Sequence, residues 1–347
     1  MQKRIAMIGL LGLTIGALAV RAQEAPMAGM KTGRAASQAS SMTDMMGAPG
    51  LVPFDIMTGQ AGQWMVGYQF MYEEMDGLLD GRDSVSEPSV LTHYKTSPTD
   101  MANRMHMVMA MYAPTDKLTL MAMLPYINMS MGELHRDGTR STERSEGIGD
   151  FEFRGLYSLY AAKDLRHSVL VNFGVGVPTG SINRHDAQGM RLEYPMQPGS
   201  GTYSILPGIT YLGQALPWGW AGDLSATLPL GRNYIGYRLG NRYQSSATIS
   251  REFANGVSLS GGLRGELWDN IHGSDPSLDP TDEPTKNPDA QGGKRLGALL
   301  GVAFHPQKGP LKGQHLHLLG EVPLAQSLDG PQLKRRWLIR IGWQLEF

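Results

Sequence analysis

The chain has 347 residues with 31 basic and 32 acidic side chains, so it lacks the positive surplus that binds phosphates. This balance argues against a nucleic-acid partner. The absence of Cys excludes disulfides, Cys-ligated metals and thiol nucleophiles. With a mean hydropathy of -0.24 and one long apolar run, at the N-terminus, the composition excludes a bundle of membrane helices.

The N-terminal residues have the pattern of a secretory signal peptide. A short positive segment at residues 2–4 precedes an apolar stretch at 5–20, and small residues surround a cleavage site after Ala22. Residues 23–62 are rich in Met, Ala, Gly and Ser and poor in the branched and aromatic residues of a packed core. We therefore predict a signal peptide at residues 1–22, a flexible periplasmic lead, and a folded domain at residues 63–347.

From residue 63 onward, apolar residues recur with a period of two, which is the period of a β-strand. Trp64, Val66 and Tyr68, for example, alternate with Met65 and Gly67. The predicted strands lie near residues 64–72, 103–113, 117–127, 148–160, 167–178, 202–213, 217–229, 241–253, 256–268, 294–305, 314–323 and 334–347. Long and short connections alternate between them. The sequence thus predicts an all-β protein: a transmembrane antiparallel β-barrel of about 12 strands with short periplasmic turns and long extracellular loops.

The last predicted strand has an unbroken apolar set at alternate positions. These residues are Trp337, Ile339, Ile341, Trp343, Leu345 and Phe347. The set resembles the signal that the outer-membrane barrel assembly machinery reads, so this machinery and the outer-membrane lipids are predicted partners. Aromatic residues near the strand ends, such as Trp64 and Tyr126, predict two girdles at the level of the lipid headgroups.

Charged residues with the opposite parity are predicted to face the lumen. Candidates for a constriction are Asp150, Glu152, Arg154, Asp223, Arg242, Arg264, Glu266 and Arg340. The inward set also includes Glu252, Glu321, Glu346, Arg295 and Arg336. The two signs nearly balance, whereas a selective pore carries one sign in excess at its constriction. We therefore expect weak ion selectivity or a lumen partly closed by ion pairs.

Methionine is unevenly distributed, because 20 of the 22 lie at or before Met131. The methionines of the first and third predicted strands have inward parity, and those of the second strand share one face. If that face is inward, three neighbouring strands present a wall of thioethers to the lumen. The predicted wall contains Met65, Met71, Met105, Met107, Met109, Met111, Met121 and Met123. Flexible packing, a slide for hydrophobic or aromatic solutes, and binding of Cu(I) remain open interpretations. Met27, Met30, Met42, Met45 and Met46 of the lead extend the copper interpretation, but no spacing defines a firm metal site.

No arrangement of residues predicts an enzyme or a cofactor. His167 and Ser168 are neighbours in one strand, so their side chains point to opposite faces and cannot form a dyad. An acidic segment near the C-terminal third could take calcium: Asp275, Asp279, Asp282, Glu283 and Asp289. Its X-Pro steps and the lack of an EF-hand pattern favour a solvated surface loop instead.

Several short segments resemble a known family. They are Gly147-Ile148-Gly149-Asp150, Pro178-Thr179-Gly180-Ser181, Gly199-Ser200-Gly201-Thr202, Gly236-Tyr237-Arg238-Leu239-Gly240 and Asp329-Gly330-Pro331-Gln332-Leu333. From about Trp64 to Phe347 the chain is similar to the outer-membrane transporter-like family of the meta-pathway of phenol degradation. The resemblance implies a channel-like barrel linked to uptake of aromatic or hydrophobic compounds, and it supplies no catalytic residues.

We therefore predict an outer-membrane channel for the passive passage of small, hydrophobic or aromatic solutes. The alternatives are a Met-rich envelope protein that binds or passes copper, and a structural barrel with a plugged lumen.

Overall fold

A computed structural model describes residues 59–347 except 163, 165, 254, 255 and 307–309. The predicted signal peptide, its cleavage site and nearly all of the predicted lead, with its methionines, lie outside the described residues and stay predictions. No helix in the described part of the chain has the length and hydropathy needed to cross a membrane.

The described residues form one 14-stranded antiparallel sheet. The strands are β1 (Trp64–Gly81), β2 (Asp83–Val85), β3 (Thr96–Thr115), β4 (Leu118–His135), β5 (Arg140–Ile148), β6 (Phe151–Ala161), β7 (His167–Val177), β8 (Ser204–Ile205), β9 (Gly208–Ala215), β10 (Trp218–Pro229), β11 (Arg242–Glu252), β12 (Val257–Trp268), β13 (Gly293–Phe304) and β14 (Gln314–Glu346). The helices are short: α1 (Glu87–Val90) and three one-turn 3-10 helices at Tyr194–Met196, Pro284–Lys286 and Pro288–Ala290.

The sheet closes into a barrel. Consecutive strands pair around the ring, and β10 pairs with β11 to complete it. β8 and β9 share one place in the wall, while β2 and β5 pair only with β1 and β4 at the loop end. Closure gives each strand of the described ring a partner on both sides, as a hydrocarbon environment requires.

The long strand β14 contains two passes of the chain. Residues 316–328 pair with β13, whereas residues 328–346 pair with β1. The strand reverses at Gly330, which has a φ of 96° that favours glycine. Across this hairpin, the Gln326 side chain donates to the Arg335 carbonyl and accepts from its N–H. Twelve antiparallel passes therefore surround the lumen, and the predicted barrel of about 12 strands is confirmed.

The outer surface is apolar. Alternate residues of neighbouring strands expose large apolar side chains, including Val108, Leu124, Ile249, Leu263, Leu300, Val302, Leu318 and Val322. Aromatic residues lie above and below them, with Trp64 and Trp218 exposed near the turns and Tyr126 and Tyr203 near the loops. An apolar band flanked by aromatic residues is the surface of a membrane-spanning barrel.

The wall extends farther on the loop side than the sequence predicted. Residues 128–147 were expected to form a long loop, but β4 continues to His135 and returns as β5. The inward alternation of Met129, Met131 and Glu133 continues past the exposed Tyr126, so the sheet rises beyond the lipid level.

A charged residue on the outer face tests the membrane placement. We expect Leu300→Arg to lower the free energy of unfolding by about 2–4 kcal/mol, since Leu300 is 74% exposed in the middle of β13. The measurement is denaturant unfolding of the barrel refolded in lipid vesicles. Tyr234→Arg is the control, because Tyr234 is 78% exposed but lies in an outer loop. Equal stability of both variants would contradict the placement.

Candidate functional site

All twelve methionines of β1, β3 and β4 lie on the inner face of the barrel. The strand register places Met65 opposite Met111, Met111 opposite Met121, and Met109 opposite Met123. Directly opposed residues share a face of the sheet, so the side chains form one surface, here called the Met wall. It contains the eight predicted methionines together with Met75, Met101, Met129 and Met131. Sequence reasoning missed these four because the predicted strands were too short at their loop ends, although each methionine has the same parity as the rest of the wall.

The Met wall lines one side of a cavity of about 310 Å³ within the barrel. The thioether side of the cavity consists of Met71, Met105, Met107, Met109 and Met123. Uncharged polar residues line other strands around it: Asn172, Ser225, Thr227, Gln244, Ser246 and Thr248. The lumen therefore offers a polarizable apolar surface facing hydrogen-bonding groups.

Several predicted constriction residues line the same cavity. Glu152 and Arg154 pair with each other at 2.8 Å between Oε2 and Nη2. Asp223 accepts a hydrogen bond of 2.8 Å from the Thr210 hydroxyl. Arg340 also lines the cavity. These positions are compatible with a constriction, and that role stays a prediction.

The other predicted candidates have different surroundings. Arg242 lies exposed at the loop end of β11, with its guanidinium 5.7 Å from the Trp268 ring centroid. Asp150 lies just before β6, at the loop end of the wall, and binds a loop. Arg264 lines the cavity and, with Glu266, takes part in a cluster of ion pairs.

Three glutamates and three arginines form this cluster on the inner face of β1, β12, β13 and β14. Its members are Glu73, Glu266, Glu321, Arg264, Arg295 and Arg335. Arg335 Nη1 lies 2.8 Å from Glu321 Oε1, and Arg295 Nη1 lies 3.1 Å from Glu266 Oε2. The formal charges of these six residues cancel.

The prediction that Arg336 faces the lumen is wrong. Trp337 lies opposite Glu74 while Arg335 lies opposite Met75, so a β-bulge at Arg336 shifts the alternation. Arg336 consequently points outward and pairs with Glu74 at 3.4 Å. Parity arguments cannot detect such a bulge, because it inserts one residue without a sequence signature.

Arg335 and Arg336 provide a matched test of burial. Arg335→Met is expected to lower stability by about 3–5 kcal/mol, because it leaves buried carboxylates uncompensated. Arg336→Met should cost at most about 1 kcal/mol, because its ion pair is largely exposed. Denaturant unfolding measures both, and equal losses would show that the buried cluster does not stabilise the barrel.

Three loops between strands pack over the lumen at the outer end and form a structure here called the cap: residues 178–203, 230–241 and 269–292. From the first loop, Leu192 and Met196 contact Met131 of the Met wall in a buried apolar cluster. Tyr194 and Tyr237 meet edge to face, with ring centroids 4.9 Å apart. The cap thus has its own apolar core and covers the outer mouth.

The acidic segment belongs to this cap rather than to a solvated loop. Asp275 is 3% exposed, and its carboxylate lies 3.3 Å from Arg191 Nε. Glu283 is 1% exposed. The expectation of solvated side chains is wrong for these two residues because they pack beneath the neighbouring loops. It holds for Asp279, which is exposed.

Asp150 fastens the first loop of the cap to the end of the barrel wall. Its carboxylate accepts hydrogen bonds from the Gly180 N–H at 3.0 Å and the Ser200 N–H at 2.9 Å. A Cβ on Gly199 would lie 2.2 Å from the Gly180 carbonyl oxygen, so the two chain segments require glycine to approach. Three segments that carried the family resemblance therefore meet at one carboxylate.

Removing this carboxylate should release the loop. We expect Asp150→Ala to accelerate cleavage by trypsin at the exposed Arg184, because the two backbone N–H groups lose their acceptor. The measurement is the rate of limited proteolysis of the folded barrel. Glu152→Ala, on the same face of the wall, is the control. An unchanged cleavage rate for Asp150→Ala would show that this carboxylate does not hold the loop in place.

The turn-side end of the lumen is lined by histidines. The rings of His305 and His315 stack with centroids 3.8 Å apart, and His315 Nε2 lies 3.4 Å from Glu346 Oε2. Gln63 donates a hydrogen bond to the same carboxylate.

The sequence profile described as "Putative MetA-pathway of phenol degradation" matches residues 100–307. No curated protein matches the chain. Among solved structures, an outer membrane channel from Pseudomonas putida F1 is similar, with 14% identity and a TM-score of 0.59 over 86% of this chain and 100% of that chain. The Pseudomonas putida toluene transporter TodX is similar at 10% identity, with a TM-score of 0.39 over 87% and 96% of the two chains. The first likeness confirms the outer-membrane barrel fold. Because the profile covers more than half of the chain, the protein belongs to the family described as the putative MetA-pathway of phenol degradation.

Proposed function

We propose that the protein is an outer-membrane channel for passive diffusion of small hydrophobic or aromatic solutes. The observation that supports this function best is the Met wall along a cavity of about 310 Å³. The proposal includes export with a signal peptide at residues 1–22 and insertion by the barrel assembly machinery.

The chemistry of the cavity suits a neutral aromatic solute. A thioether beside an aromatic ring contributes roughly 0.3–1.5 kcal/mol, which is enough to attract a ring without trapping it. Successive methionines such as Met105, Met107 and Met109 repeat this weak site along the lumen. Passage requires binding that is favourable at several sites but weak at each.

The polar side of the cavity suits a hydroxyl or similar group on that ring. Ser225, Thr227 and Gln244 supply donors and acceptors around the lumen. The buried ion pairs are neutral together, so they present no strong field to attract an ion of one sign. The solved channel of similar fold and the phenol-degradation description of the family are consistent with this proposal.

Entry of a solute into the cavity also depends on the cap. Leu192 and Met196 pack against the upper Met wall, so a solute must displace or pass the first loop to reach the cavity. We therefore propose that loop movement, rather than the width of the barrel, limits the rate of entry.

A triple substitution tests the role of the Met wall. Met105→Gln, Met107→Gln and Met109→Gln together keep the side-chain length but remove the thioethers from the cavity. Uptake of a neutral monoaromatic compound by proteoliposomes should fall about tenfold or more, because the aromatic ring no longer meets polarizable sulfur atoms along the lumen.

The control is Met190→Gln, which makes the same change at a methionine that is 62% exposed on the cap. Aromatic uptake that is unchanged in the triple variant would contradict the proposed slide. Stoichiometric Cu(I) binding that the triple variant abolishes, without any solute flux in the wild type, would favour the metal-binding alternative.

A further inference from the structure

Four glutamates come together where the cap meets the rim formed by β4 and β5. Glu133 lies on β4 and Glu143 on β5, while Glu193 and Glu283 each precede a proline-containing one-turn 3-10 helix. One carboxylate oxygen from each of Glu133, Glu143 and Glu193 lies within 4.8 Å of the other two. We call the four residues the carboxylate cluster.

Three members of the carboxylate cluster are buried, Glu143 is half-buried, and the cluster is incompletely hydrogen-bonded. Glu133 is 4% exposed, and Glu193 and Glu283 are each 1% exposed. Among the described residues, Glu193 Oε1, Glu283 Oε1 and Glu143 Oε2 have no hydrogen-bond partner. A buried carboxylate oxygen without a partner is costly. Three such oxygens in one cluster indicate a site for a cation that is coordinated by oxygen atoms.

The positive charge near the cluster does not balance it. Lys286 Nζ lies 3.8 Å from Glu283 Oε2 and also pairs with Asp282 at 3.6 Å. His135 Nε2 lies 3.9 Å from Glu133 Oε2, and the Ser141 hydroxyl donates to the same carboxylate.

Burial, followed by repulsion from Glu133, raises the pKa of Glu143 to about 7 and that of Glu283 to about 8. Burial also raises the pKa of Glu193, next to Glu283 and Glu143.

We propose that the carboxylate cluster binds one calcium ion, which fastens two cap loops to the raised rim formed by β4 and β5. Calcium takes several oxygen ligands in flexible geometry, whereas magnesium demands a near-ideal octahedron. Carboxylates contributed by four chain segments suit the first ion better. This site lies outside the cavity and is independent of the solute that passes through it.

The test is calorimetric titration of the full-length folded barrel, stripped with a chelator, with calcium chloride and separately with magnesium chloride. We expect one calcium per chain and weaker binding of magnesium. Glu193→Gln and Glu283→Gln should each weaken calcium binding about tenfold or more, because each removes a charged ligand. Lys286→Gln should strengthen it, because a competing positive charge is removed.

Glu146→Gln is the matched control. Glu146 lies on β5 with Glu143, but it is exposed and bonds Asn128 on the outer face, so calcium affinity should not change. Heat-modifiable migration in gels verifies that each variant is folded. A folded wild-type barrel that takes up no calcium, or glutamine variants with wild-type affinity, would overturn the proposal.

A second readout reports the consequence for the cap. Calcium should slow cleavage by trypsin at Arg184 in the wild type but not in Glu193→Gln. Neither readout requires transport, so failure of the cation site and failure of the channel function are distinguishable.

Discussion

Closure of the sheet is the constraint on which the other features depend. In hydrocarbon every strand must pair on both sides, so each residue of a strand faces either lipid or lumen. The alternation that puts Val108 and Leu124 outside necessarily puts Met107 and Met123 inside. The function proposed for the lumen thus follows from the same pairing that gives the barrel its apolar outer surface.

Two sides of the lumen differ in their chemistry. One side is filled with flexible thioethers, which adapt to irregular ligands, and another holds a neutral cluster of ion pairs that fixes neighbouring strands. Arg335 joins Glu73 and Glu321, which are far apart in sequence, across the β14 hairpin and its pairing with β1. The rigid side can therefore hold the barrel in shape while the thioether side accommodates solutes.

The cap is held by carboxylates in two chemically distinct ways. Asp150 is satisfied by backbone N–H groups and fixes the two ends of the first loop to the wall. Glu193 and Glu283 each carry an oxygen without such a partner and, under our proposal, are satisfied by calcium. The hydrogen bonds of Asp150 would keep the first loop attached to the wall while release of calcium lets the loops move.

The sequence predicted much of this structure because strand periodicity is a local property. Twelve alternating segments and the shared face of Met107 and Met109 follow from parity, and the structure shows that this face is the inner one. Parity failed at Arg336, where a bulge inserts a residue, and beyond Tyr126, where nothing local marks the end of the membrane. The burial of Glu283 was also not predictable, because it depends on packing between loops that are distant in the chain. Three of the segments that resembled the family meet at Asp150, where the close approach of the chain explains the glycines at positions 180 and 199.

The most direct test of the account is current through the purified, refolded barrel in a planar bilayer, recorded with and without a small neutral aromatic compound. We predict small intermittent openings that the aromatic compound reduces, because it occupies the Met-lined cavity. A folded and inserted barrel that carries no current and admits no aromatic solute would contradict the proposed channel.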